Sequence, residues 1–250
     1  MVTDYNQGHI AEQYRQAKSQ PWREHVERYS LLKLIGDPAG KNVLDVACGE
    51  GHYTRIVRNA GAAEISGIDI SDRMIELARA QEAGQPLGIQ YWVEDARTVA
   101  IAPAFDLVIA AWLLVYCRTR AELTQMCRGL ASRLRPGGRF VTVIGNPAIY
   151  AMQTPPDYRK YGFTVTLAEQ PVDGAPVTFT LLLPDTTLTI ENYYLPIDAY
   201  ESALTEAGFH DFAVHTPELS PTHHHEAGFW DDFLKHPGFV LIDCVKSSVA

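Results

Sequence analysis

Hydrophobic and polar positions along the chain fall into two regimes. From residue 42 to 144, short apolar runs alternate with stretches of helical spacing. Residues 42–47 (N-V-L-D-V-A), 65–70, 89–93, 105–111 and 139–144 read as five strands. The run 105–111 is almost wholly apolar, as expected of a strand covered on both faces. Residues 50–60, 71–83 and 120–134 read as the intervening helices, with Ser71 placed as an N-cap and the last helix stopping before Pro136-Gly137-Gly138. This alternation predicts a parallel, doubly wound sheet. Residues 5–35 predict two helices broken near Pro21.

After Gly145 the period changes to two. A proline- and tyrosine-rich loop, 146–160, precedes alternating runs at 163–167, 177–183 and 188–194, with turn signals between them. These predict an antiparallel meander inserted into the α/β frame. A helix over 197–207, strands over 209–214 and 239–245, and a short aromatic helix over 229–234 complete the chain. The predicted fold class is α/β: a doubly wound, mostly parallel seven-stranded sheet with N-terminal helices and an inserted β meander.

The chemistry concentrates where strands end. V-L-D-V-A-C-G-E-G at 43–51 runs a strand into a glycine turn, so Gly49 and Gly51 are expected to let backbone pass close to a ligand. Glu50 and the missing third glycine disfavour a dinucleotide pyrophosphate there. Asp69 closes the next strand, G-I-D-I, in the place where a carboxylate accepts ribose hydroxyls. Asp95 and Ala96 follow the third strand, with Ile70 and Met74 as apolar faces for an adenine ring.

The ordered set D-V-A-C-G-E-G, G-I-D-I-S, E-D-A, F-D-L-V-I-A-A-W and R-L-R-P-G-G-R-F resembles the class I S-adenosylmethionine-dependent methyltransferases over residues 41–144. The resemblance implies that Asp45, Ala47 and Gly49 meet the donor's methionine end, Asp69 its ribose, and Asp95 and Ala96 its adenine. Backbone at Ala110, Ala111 and Trp112 would face the methionine portion. It also implies that the N-terminal helices form a lid whose Tyr14 meets the donor carboxylate, with Arg23 as a rival for that contact. Residues 1–36 would then be lid, 37–145 donor-binding core, 146–195 acceptor cap and 196–250 the completion of the sheet. The remainder, 146–250, with its tail A-G-F-W-D-D-F-L-K-H-P, resembles toxoflavin-type N-methyltransferases, which implies a small-molecule acceptor methylated at nitrogen. His223-His224-His225 departs from that pattern.

Trp112 is the foremost candidate beside the reacting atoms and His224 a candidate base, while His52 sits beside the glycine turn. Tyr116, Tyr150, Tyr193, Tyr194 and Trp230 are candidates for aromatic walls, and Arg55 and Arg118 read as surface charges. The net charge of −9 opposes a nucleic-acid partner. Four scattered cysteines without a C-x-x-C pair suggest neither disulfides nor a metal site. With no long apolar run and a polar opening segment, the expectation is a cytoplasmic monomer or homodimer, off the membrane. The rival readings are a nicotinamide oxidoreductase and a non-catalytic donor-binding module.

Overall fold

The computed structural model describes residues 4–98, 105–167 and 170–248. Five parallel strands form the frame: β1 (Asn42–Val46), β2 (Glu64–Asp69), β3 (Gln90–Val93), β4 (Phe105–Ala111) and β5 (Leu134–Gly145). They are joined by α3 (His52–Asn59), α4 (Asp72–Gly84) and α5 (Arg120–Arg133). With β9 (Phe209–His215) and β10 (Phe239–Lys246), the sheet runs β3-β2-β1-β4-β5-β10-β9. The order reverses between β1 and β4, and in such sheets ligands sit outside the carboxyl ends of the strands at that point. Strand β10 wedges between β5 and β9, antiparallel to both, and closes the sheet.

Sequence reasoning places β5 after the P-G-G turn, yet the strand begins at Leu134. Leu134 already pairs with Phe105, and a register shift before Leu107 absorbs Pro136 and Gly137 as an irregularity. A bulge is one of the few places where a sheet tolerates proline.

At the N-terminus, α1 (Gly8–Ala17) and α2 (Arg28–Ile35) flank a π-helical turn, Arg23–Glu27, that the periodicity did not predict. The meander forms a separate sheet, β6 (Phe163–Leu167), β7 (Pro176–Leu182) and β8 (Thr187–Tyr193). It is fastened to the N-terminal segment by Gln20, whose amide donates to the carbonyls of Gly162 and Leu182, and by Trp22, packed on Phe163 and Phe179. Helix α6 (Ile197–Glu206) packs on α5, and α7 (Asp231–Lys235) begins two residues later than its aromatic run predicts.

Helix α5 touches the loop after β3 through Gly129, where an added Cβ would lie 2.1 Å from the Ala96 carbonyl oxygen. Gly129→Ala is therefore expected to lose about 1–3 kcal/mol of stability from overpacking, read by thermal unfolding. It should also displace Ala96; an unchanged midpoint would mean the two elements part without cost.

Candidate functional site: a slot at the switch point

A cavity of about 360 Å3 opens at the carboxyl ends of β1, β2 and β4. Its walls bring together Tyr14, Ala47, Gly49, Asp69, Ile70, Met74, Asp95, Ala96, Ala111 and Trp112 of the predicted set. Asp69 organises it. One carboxylate oxygen accepts the Gly49 N–H at 2.9 Å and the other the Ser71 N–H at 2.9 Å. The turn after β1 and the turn after β2 are thus tied to one side chain. Burial raises the Asp69 pKa above the usual carboxylate value. Ser71 caps α4 as predicted, accepting from Met74 N–H. Ile70 is 64% exposed at the rim, while Met74 lies buried beneath it.

Four predicted residues stand behind the walls rather than in them. Asp45 is buried, accepts the Thr54 hydroxyl at 2.6 Å, and is pushed up to about 7 by that burial. Gly51 is required by packing: its φ is +87°, and a Cβ there would collide with the Tyr91 hydroxyl. Ala110 is wholly covered inside β4. Arg23 does not reach the slot; its guanidinium pairs with Glu27 at 3.2 Å, with side chains 4% and 0% exposed. Asp95 lines the slot, but its carboxylate is bound by Arg97, which lowers its pKa.

The histidines lie elsewhere. His224 is exposed and lines neither this slot nor the smaller cavity beside it. His225 stacks on Phe229 near His25, and His52 packs on Tyr53, its pKa depressed to about 3 by burial. Trp230 is buried against Tyr161, away from both cavities. Arg55 is largely covered and pairs with Glu82, and Arg118 sits over the Tyr193 ring. Arg118 is exposed, as the sequence suggests, whereas Arg55 is not a free surface charge.

Trp112 is the most constrained residue of the site. It has φ +65°, unusual for a bulky side chain, and its backbone N–H is held by the Val143 carbonyl. Its indole N–H donates to Glu27 at 2.8 Å, and Glu27 also accepts the Tyr53 hydroxyl. Ala47, at the matching place after β1, has φ +56°.

Glu27 escaped sequence reasoning because a carboxylate on a helix ordinarily reads as solvated. Also missed were Tyr5, whose hydroxyl meets that of Tyr116 at 2.7 Å across the slot, and Glu122 and Met126, which face it from α5. The i, i+4 spacing of the last two was the available signal.

Residues 43–138 match the family described as methyltransferase domain. The chain is 26% identical to the N-demethylindolmycin N-methyltransferase of Streptomyces griseus, over 90% of this chain and 96% of that protein. It is 30% identical to the demethylmenaquinone methyltransferase of Tropheryma whipplei, over 73% of this chain and 72% of the relative. The CcbJ methyltransferase of Streptomyces caelestis shares the fold with a TM-score of 0.67 at 17% identity, covering 98% of both chains.

Glu27→Gln leaves Arg23 buried without its counter-charge and is expected to cost roughly 3–5 kcal/mol. Denaturant unfolding near neutral pH measures it; a loss below 1 kcal/mol would mean that Arg23 finds another partner.

The tied turns, the strand-tip carboxylate and these kinships agree: the chain belongs to the class I S-adenosylmethionine-dependent methyltransferases.

Proposed function

We propose that the chain methylates a nitrogen of a small, largely apolar acceptor, with the slot holding S-adenosylmethionine. The observation that carries this reading is the pairing of Asp69 with the 47–49 turn in one cavity of about 360 Å3, a size that suits a nucleoside ligand. The residues fit the donor. Asp69 has lone pairs left for ribose hydroxyls after serving Gly49 and Ser71. Ile70 and Met74 flank the place for adenine, with Ala96 at its edge. Gly49, at φ +57°, keeps side-chain atoms off the floor. Tyr14 lines the methionine end, and with Arg23 committed to Glu27 it is the better-placed group for the donor carboxylate.

When bound, the donor supplies a methyl carbon that bonds to the acceptor's lone pair while the carbon–sulfur bond breaks and its electron pair returns to sulfur. Trp112, Tyr14 and Tyr116 wall the slot with aromatic faces, which suit a cationic centre by about 0.5–2 kcal/mol per contact. The lid, closed by Tyr5 on Tyr116 and by Asn6 accepting from Ser71, excludes water and holds the reactants in line. Among the described residues no histidine lines the slot, so an amine acceptor would shed its proton to water or to one of the lining carboxylates, Glu94, Asp95 and Glu122, after transfer. The nitrogen assignment draws on the Streptomyces griseus relative, named for N-methylation. The net charge of −9 argues against a nucleic-acid acceptor. No helix among the described residues is long and apolar enough to cross a membrane, and the four cysteines are free and buried, in keeping with a reducing cytoplasm.

Asp69→Ala should weaken binding of S-adenosylhomocysteine on the order of 100-fold, through loss of hydrogen bonds to a charged acceptor. Calorimetry reads this, and undiminished affinity would remove the slot from the reading. The ionised carboxylate is the form that accepts ribose hydroxyls. Because its pKa is raised, wild-type affinity should fall on acidification before ordinary carboxylates titrate. Asp69→Asn should bind weakly with that pH dependence flattened.

A further inference from the structure

The inner face of the cap sheet breaks its own pattern at one position. Residues facing the core alternate along β7 as Val177, Phe179 and Leu181, and along β8 as Leu188 and Ile190. The next inward position of β8 is Asn192, paired across to Val177 and only 8% exposed. Its Oδ1 has no hydrogen-bond partner among the described residues. A buried amide oxygen left unpaired costs about 1–3 kcal/mol, so an apolar residue would be the stable choice here.

The amide borders a second cavity between the cap, the end of β5 and Trp112, with free room of about 20 Å3. That is space for one or two heavy atoms. Tyr150, Tyr194, Phe179 and Trp112 wall it, and among the described residues no charged side chain lines it. Trp112 also lines the donor slot, so the two cavities share one indole as their partition.

We infer that this cavity is the acceptor's anchoring site: it takes the N–H edge of a planar, uncharged ring system, and Asn192 Oδ1 accepts that hydrogen. Only that edge enters the small room, and the missing partner of Asn192 is supplied by the ligand. An analogue that brings no hydrogen to this edge leaves the buried Asn192 oxygen unpaired in its complex and is disfavoured for that reason. The inference rests on the methyl-transfer reading for the neighbouring slot, and the two can fail separately.

The test uses the whole chain saturated with S-adenosylhomocysteine and two isosteric probes, pyrrole, which carries an N–H, and furan, which does not. Pyrrole should bind at least about tenfold more tightly than furan, with the side-chain amide resonances of Asn192 shifting in NMR titration. In Asn192→Leu the preference should vanish while S-adenosylhomocysteine affinity stays unchanged. Equal binding of the two probes, no saturation by pyrrole, or pyrrole shifts that bypass Asn192 would overturn the inference; the wild-type comparison suffices even if the variant misfolds. Loss of S-adenosylhomocysteine binding by the wild type would instead refute the donor assignment.

Discussion

One carboxylate ties together the part of the sheet that matters. Asp69 ends β2, yet its side chain accepts the backbone N–H of Gly49 from the neighbouring crossover and of Ser71 from its own. A carboxylate offers about four lone-pair directions. Two are spent on the fold and point the remaining acceptor capacity outward. The position ties the fold together and leaves acceptor capacity facing the slot, and the raised pKa follows from holding that charge where water is scarce. A slot built on a loop contact would drift. This one is fixed to two adjacent strands of a parallel ladder.

The same economy appears in the backbone. Ala47 and Trp112 follow β1 and β4, the pair flanking the reversal of strand order, and both lie in the left-handed region. Such conformations cost on the order of 1–3 kcal/mol each for residues other than glycine. Both turn the chain sharply away from the ladder and so open the space between strand ends. At Trp112 the conformation is over-determined, since Val143 holds its backbone and Glu27 holds its indole. The indole that borders both cavities is consequently held in one orientation.

The frame was legible because burial enforces it. A strand must be apolar where it is covered on both faces, and β4 is so from Leu107 to Ala110. The glycine turn and Asp69 were legible because few side chains serve a tight turn or a strand-tip acceptor. What escaped depends on partners far apart in sequence. Gly51 looks like a ligand glycine until Tyr91 is seen to fill the space above it. Arg23 looks like a donor ligand until Glu27 claims it. His224 drew notice through repetition alone, which carries no spatial information. Asn192 was readable in principle, as the polar residue on an apolar register, but period-two patterns tolerate exceptions at strand ends, and only the absence of a partner singles it out.

The buried charges of the N-terminal segment answer a different need from stability. An ion pair in an apolar setting is often worth no more than hydrophobic residues of the same volume. Here, however, Glu27 serves three elements at once: Arg23 on its own turn, Tyr53 on α3, and Trp112 at the end of β4. Any slip of this segment along its axis would leave a carboxylate or a guanidinium unpaired among aromatic rings, which is costly. A hydrophobic segment of equal area would accept several such placements. The charge cluster therefore selects one placement, and the same carboxylate fixes the indole of Trp112.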